Sequence, residues 1–256
     1  MHKCYTLDKG EIMSIVELPD DGFNNSGLYT QETFSTARDF ISYAIKIEAL
    51  KFPSEGISLK SKRLSPYFFN SGLFNDGVTL GVLIKAYTET IITLCDREDI
   101  SFDVLFGPAY KGIPLVVGVT LLLESDYGIN VGYAFNRKEK KDHAEGGTIV
   151  GASLAGKNAL ILDDAMTTGI SSDEAVEIIC ANGGTPVGCV IAFDRQETGV
   201  GTTKSAVQEF ENKNKIPVRA IATFADLIQQ ISVESSDGKT GEILRKIQAY
   251  QRKYGV

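Results

Sequence analysis

The chain has 256 residues, 43% hydrophobic and 23% charged, a balance that fits one large globular domain or two small ones. Its formal net charge of −7 argues against a general nucleic-acid face or an anionic-membrane surface, so any anion site must be a local cluster of cations. Only His2 and His143 are histidines, which excludes a multi-histidine metal site and leaves His143 as the one candidate for histidine-dependent catalysis.

The first residues, MHKCYTLDKGEIM, carry early acids and no apolar core and do not read as a signal peptide. Residues 1–30 include the turn-rich PDDGFNNSG and read as a terminal extension to a domain over 31–256. From Thr33 a helix is predicted, because Phe34, Ala37, Ile41, Ala44 and Ile45 recur at helical spacing. Residues 52–72, punctuated by Pro and Gly, predict short strands and loops, followed by a helix over about Val78–Asp96.

Beyond that point short apolar runs alternate with helical patterns. Strands are predicted at Phe102–Phe106, Val131–Phe135, Ala159–Leu162, Val187–Phe193 and Val218–Thr223, and helices at Ser172–Cys180, Ala225–Ile231 and Glu242–Lys253. This is the pattern of an α/β fold with a mostly parallel sheet covered on both faces. The longest apolar run, about Leu115 to Leu123, is about half of a membrane span. Cys4, Cys95, Cys180 and Cys189 have no paired spacing, so reduced thiols and a cytoplasmic location are expected.

Two segments share one plan. FDVLFGPAYKGIPLVVGV and NALILDDAMTTGISSDEAV each run strand, small-residue loop, helix. Loops at the carboxyl ends of parallel strands line the ligand crevice, and a helix N-terminus beside free backbone N–H groups suits phosphate. Two such loops suggest a ligand with a phosphate group at each end.

Asp163 and Asp164 stand side by side in the second segment. In one reading Asp163 ends the strand and Asp164 caps a turn. In the other they face the crevice and hold sugar hydroxyls or sit near a cation, since buried paired carboxylates would be costly. Thr167, Thr168, Gly169, Ser171 and Ser172 follow at once and tilt the balance to the second reading. With no lysine in the loop, it is not a Walker loop. FNRKEKKDHAEGG gathers Arg137, Lys138, Lys140, Lys141 and His143 before a glycine pair, either as a solvated loop or as a cationic lid. LKSKRLSPYFFNSG sets Lys60, Lys62 and Arg63 near Tyr67, Phe68 and Phe69, either as a packed β-segment or as a wall against a planar anion. In FDRQE, Arg195 either pairs with Asp194 or holds a substrate carboxylate.

These four segments resemble the orotate phosphoribosyltransferase family, of the type I phosphoribosyltransferase fold. ILDDAMTTGIS is similar to the phosphoribosyl-diphosphate signature, FGPAYKGIPL to the pyrophosphate loop, NRKEKKDHAEGG to the flexible catalytic loop and LKSKRLSPYFFNSGLFN to the N-terminal hood, about residues 52–75. The resemblance runs from about residue 33 to the closing YGV. It implies a central, mostly parallel sheet flanked by helices, with a small hood. It also implies transfer of ribose 5-phosphate from phosphoribosyl diphosphate to orotate, with Mg²⁺ bound mainly through the diphosphate, in a homodimer whose mobile loop serves the neighbouring site.

Residue by residue, the resemblance places Lys60, Tyr110, Lys111, Arg137, Lys138, Lys141 and His143 at the diphosphate substrate. Asp163, Asp164, Ala165, Met166, Thr167, Thr168, Gly169, Ile170 and Ser171 would form the ribose-phosphate site. Phe68, Phe69, Thr167 and Arg195 would meet orotate. Catalysis would fall to Lys141, His143, Arg137, Asp163 and Asp164. Lys62 stands where many relatives have Gly, Ile170 where Thr is common, and the terminal extension has no assigned counterpart. Two rivals remain at this point. A phosphoribosyltransferase for a purine or uracil needs no carboxylate clamp, and a non-catalytic regulator would lack the acids or the loop cations.

Overall fold

A computed structural model describes residues 3–6, 14–17, 37–59, 61–138, 148–166, 170–234 and 238–256. The chain divides into two units, Met1–Thr33 and Phe34–Val256. In the first, where the sequence reads as a polar extension, β1 (Lys3–Thr6) and β2 (Ser14–Glu17) form an antiparallel hairpin with Lys3 opposite Glu17. Each run, KCYT and SIVE, is only four residues long with two adjacent apolar or aromatic residues between polar ends, too short a signal to stand out from the neighbouring turn residues.

The second unit opens with α1 (Ala37–Lys46), which buries Phe40, Ile41, Tyr43 and Ala44. Four short strands follow: β3 (Leu50–Lys51), β4 (Ile57–Ser58), β5 (Leu64–Ser65) and β6 (Phe68–Phe69). They pair as two small antiparallel ladders, β3 with β6 and β4 with β5, and lead into a 3-10 turn at Ser71–Leu73. The long helix α2 (Gly77–Glu98) starts where the Asp76 carboxylate accepts from the N–H groups of Val78 and Thr79, and Asp99 ends it in the left-handed region. By length and composition it is the one helix among the described residues that could cross a membrane. Its Val82, Leu83, Ile84, Tyr87, Ile91 and Leu94 are instead buried in the protein core.

The main body then runs β7 (Val104–Gly107), α3 (Gly112–Tyr127), β8 (Gly132–Asn136), β9 (Ile149–Gly151), β10 (Asn158–Ala165), α4 (Ile170–Ala181) and β11 (Thr185–Asp194). It closes with α5 (Ala206–Asn214), β12 (Val218–Thr223), α6 (Phe224–Glu234) and α7 (Gly238–Tyr254). The sheet order is β12-β11-β10-β7-β8-β9, parallel except for the edge pair β8–β9. The predicted α/β architecture is therefore present. All five predicted strands form, four of them with shifted bounds, because pairing rather than apolarity decides where a strand stops.

Successive residues of a strand point to opposite faces, and the two cores follow that parity. Leu105, Leu160, Leu162, Val190 and Ala192 join α1, α2, α3, α6 and α7 on one face. Val104, Phe106, Ala159, Ile161, Cys189 and Ile191 join α4 and α5 on the other. The chain leaves β7 toward β8 and β9, then returns across β7 to β10. The β7–β10 boundary is thus the topological switch point, where open α/β sheets bind ligands beyond the strand ends.

The hood departure has a local answer. Lys62 adopts φ 63° in the tight turn between β4 and β5, with its N–H donating to Leu59 O (2.8 Å) and the Leu59 N–H donating to Arg63 O (2.9 Å). A side chain in that region carries steric strain that glycine escapes. Lys62→Gly is expected to stabilise the protein by about 0.5–1 kcal/mol, seen as a rise of roughly 1–4 °C in Tm by thermal unfolding.

Candidate active site

Strand β10 runs through both acids rather than stopping before them. Asp163 lies opposite Ile191 and Ala165 opposite Phe193. Because the two acids are consecutive in a strand, they face opposite sides of the sheet. Asp163 shares the parity of Ala159 and Ile161 on the α4 side and is buried, at 5% exposure. Asp164 faces the α2–α3 side, where Ser71 Oγ (2.8 Å) and Lys111 Nζ (2.6 Å) both donate to its Oδ2. The Asp164 N–H donates to Asp163 Oδ1 at 2.9 Å, and the Tyr87 hydroxyl donates to the Asp163 carbonyl at 2.6 Å.

Burial, and then the neighbouring charge of Asp164, push the Asp163 carboxyl up to about 6, against partial relief from the Asp164 N–H and the Ser171 hydroxyl. Of the two readings of the acids, the one in which Asp163 ends the strand is excluded by its pairing within β10, which runs past the predicted Leu162 to Ala165. The paired acids are tolerated because the strand sends one to each face and each finds donors there.

Gly107 ends β7 and Gly112 begins α3, and their backbones touch. A Cβ on Gly107 would collide with the Gly112 carbonyl, and one on Gly112 would lie 2.6 Å from the Gly107 carbonyl carbon. The segment Pro108–Lys111 spans that contact and includes a cis peptide between Ala109 and Tyr110. The Ala109 N–H donates to the buried Asn136 Oδ1 at 2.8 Å, which ties this loop to the end of β8. A cleft of about 270 Å³ lies there, lined by Ala109, Tyr110, Ile113, Phe135, Asn136, Arg137 and Lys138. The Arg137 N–H donates to Thr148 O at 2.7 Å, so β8 and β9 fix both flanks of residues 139–147.

Of the residues implicated by sequence, Tyr110, Lys111, Asp163 and Asp164 come together at the switch point, with Arg137 and Lys138 across the cleft from Tyr110. Ala165 ends β10, Met166 is buried, and Ile170 and Ser171 open α4. Lys60, Lys141, His143, Thr167, Thr168 and Gly169 lie outside the described residues. Phe69 is half-buried and stacks on Phe193 at 5.5 Å, while its neighbour Phe68 pairs in register with Lys51. Tyr67 and Arg63 contribute no free wall. Tyr67 is fully buried, and Arg63 Nη1 donates to Thr198 O at 2.6 Å. Arg195 does not pair with Asp194, whose Oδ1 instead accepts from the Gln196 N–H at 2.9 Å. Its Nη2 meets Glu197 Oε1 at 2.6 Å, because the turn after β11 carries Glu197 back onto it.

Ser71, Tyr87 and Asn136 were not singled out by sequence. A polar residue closing an apolar strand was the visible sign for Asn136, whereas Ser71 and Tyr87 are brought in by tertiary folding alone.

The profile of the family described as "Phosphoribosyl transferase domain" matches residues 83–225. Orotate phosphoribosyltransferase of Nitrosococcus oceani is 47% identical over 222 residues, covering 87% of this chain and 96% of that protein. The enzyme of that name from Yarrowia lipolytica is 48% identical over 222 residues, covering 85% and 96%. The crystal structure of orotate phosphoribosyltransferase from Francisella tularensis superposes with a TM-score of 0.73 at 37% identity, covering 85% of this chain and 99% of that one. Fold, switch-point loops and profile define a phosphoribosyltransferase. With relatives this similar over nearly their whole length, the chain belongs to the orotate phosphoribosyltransferase family.

The raised Asp163 carboxyl makes a stability prediction. Below about pH 3 the group is protonated folded or unfolded, and no penalty exists. As pH rises to about 6 the unfolded chain ionises first, so the folded state loses ground on the order of 2–3 kcal/mol. Asp163→Asn keeps the acceptor for the Asp164 N–H and removes the charge. Its denaturation midpoint is expected to match the parent near pH 3 and to exceed it at pH 7.

Proposed function

We propose that this chain transfers ribose 5-phosphate from 5-phosphoribosyl 1-diphosphate to N1 of orotate, giving orotidine 5′-phosphate and diphosphate in de novo UMP synthesis. The observation that carries the reading is the contact of Lys111 Nζ with Asp164 Oδ2, which joins the loop after β7 to the acids of β10. The relatives of the same name supply the reaction.

The displacement develops positive charge on the ribose and negative charge on the leaving diphosphate, so positioning and electrostatics dominate. Asp164 already accepts from a hydroxyl and an ammonium, and would accept ribose hydroxyls in the same way. Asp163 behind it would favour the positive character of the ring. Tyr110 and Lys111, with Arg137 and Lys138 across the cleft, would receive the diphosphate, joined by Lys60, Lys141 and His143. The residues from Ala165 to Ser171 would hold the 5′-phosphate at the start of α4. Phe68, Phe69 and Thr167 would border orotate, whose carboxylate would meet Arg195.

Mg²⁺ belongs to this proposal. Among the described residues no group of three or more His, Cys, Asp or Glu side chains converges as a metal cage. Two acids at one strand end fit an ion carried mainly by the diphosphate, where it supplies charge neutralisation and a template. A homodimer with a shared catalytic loop is also proposed. Exposed apolar side chains along α3 and into β8, namely Leu121, Tyr127, Ile129 and Tyr133, support such an interface. The free thiols Cys95, Cys180 and Cys189 fit a reducing, cytoplasmic setting.

Mixing the protein with orotate, phosphoribosyl diphosphate and Mg²⁺ is expected to bleach the ultraviolet band of orotate. Consumption of uracil or a purine with orotate untouched would reject the substrate. Lys141→Ala is expected to lower turnover by about a hundredfold. An unchanged kcat would remove that residue from the chemistry.

A further inference from the structure

The turn that follows β11 holds a buried cluster around Glu197, a residue that the reaction scheme leaves unused. Glu197, 10% exposed at its side chain, takes Arg195 Nη2 (2.6 Å), Arg195 Nε (3.0 Å) and the Tyr67 hydroxyl (3.2 Å) on Oε1. Its Oε2 accepts from the Tyr250 hydroxyl at 3.1 Å and lies 3.9 Å from Arg63 Nη1. Arg195 Nη2 also donates to Ser65 Oγ at 3.0 Å, and its guanidinium lies over the Tyr67 ring at 4.3 Å.

The backbone of this turn is held as firmly as its side chains. Gln196 adopts φ 48°, a strained value fixed by its N–H to Asp194 Oδ1 and by its Oε1, which accepts from the Ala225 N–H. Thr198 N–H donates to Tyr254 O at 2.8 Å, and Arg63 donates to the carbonyls of Thr198 (2.6 Å) and Gly199 (3.3 Å). The hood, through Arg63, Ser65 and Tyr67, grips the turn from one side. Helix α7, through Tyr250 and Tyr254, grips it from the other.

We propose that Glu197 is the positioning residue for Arg195, holding the Nε–Nη2 edge of the guanidinium so that the Nη1 end is presented in one fixed orientation to the carboxylate of the acceptor base. The inference rests on the reading that Arg195 receives that carboxylate. Stability alone is a weak reason for the cluster, because a buried ion pair seldom repays its desolvation against an apolar substitute. Its geometry has a better use. An arginine side chain costs much rotamer entropy to order at the moment of binding, and one ordered in advance by four contacts does not incur that cost again. The two tyrosine hydroxyls donate to different oxygens of Glu197, so the carboxylate plane is fixed as well as its position.

Steady-state kinetics on the full chain test this. In Glu197→Ala the KM for orotate is expected to rise by about tenfold or more, with the KM for phosphoribosyl diphosphate within about twofold of the parent. Glu197→Gln retains an acceptor oxygen and is expected to recover most of the loss. A purely structural Glu197 would instead lower Tm and the active fraction while both KM values stay put, and that result overturns the proposal. The Arg195→Ala variant separates the two layers. If it raises the orotate KM and Glu197→Ala does not, positioning fails and the carboxylate reading survives; if it leaves the orotate KM unchanged, the carboxylate reading itself falls. Should Glu197→Ala not fold, Tyr250→Phe, which removes one donor to Oε2, carries the same test. Its expected rise in orotate KM is about threefold, and no change counts against the proposal.

Discussion

The parallel pairing of β7 with β10 is the constraint on which the candidate site depends. Val104, Leu105 and Phe106 lie beside Ala159, Leu160 and Ile161, although more than fifty residues separate them in the chain. That register ends β7 at Gly107 while β10 continues to Ala165. The loop from one strand therefore opens level with the acids of the other, and Lys111 can reach Asp164. A slip of one residue in β10 would exchange the faces of Asp163 and Asp164. Asp163 would then meet Ser71 and Lys111, and the half-buried Asp164 would be driven into the α4 core.

The site also draws on parts of the unit with no obvious relation in sequence. Ser71 comes from the turn after the small ladders, Tyr87 from the middle of α2, and Asn136 from the last position of β8. Each satisfies one polar group at the strand ends, and each element is anchored by its own apolar contacts. The hood and α7 do the same for the turn beyond β11. Polar groups that would be costly to bury unpaired are thus each given a partner from a different element. The consequence is a rim whose components cannot be loosened one at a time.

Much of this was legible in the sequence, for identifiable reasons. Apolar runs such as Val218–Thr223 are strands covered on both faces, and they announce themselves by length and β-branched content. The loops after β7 and β10 were visible because small residues interrupt apolar runs at the point where a helix begins. What escaped was shorter or less apolar. Strand β9 has three residues and exists only as a partner for β8. Helix α5 buries only Val207 and Phe210, and its clearest sign is the reciprocal cap between Ser205 and Gln208. Arg195 was read from sequence either as pairing with Asp194 or as holding a substrate carboxylate. Its partner within the protein, Glu197 in place of Asp194, follows from the left-handed turn at Gln196, and no residue type there announces such a turn. The left-handed Lys62 was flagged only as a departure from relatives, since lysine itself gives no hint of that conformation.

The contact between Gly107 and Gly112 bears on how such a loop can vary. Strand end and helix start are pressed together main chain to main chain, so the two roots of the path are set without reference to any side chain. The residues on that path, Ala109, Tyr110 and Lys111, are then free to be selected for what they do at the crevice, as Lys111 is for its contact with Asp164, while the course of the amides stays constant. A lineage could alter charge or bulk at the mouth of the crevice and leave the fold unaware of the change. At the tip of the loop only function would limit variation, whereas at its two roots the fold itself would forbid it, a division of constraint imposed by two missing methyl groups.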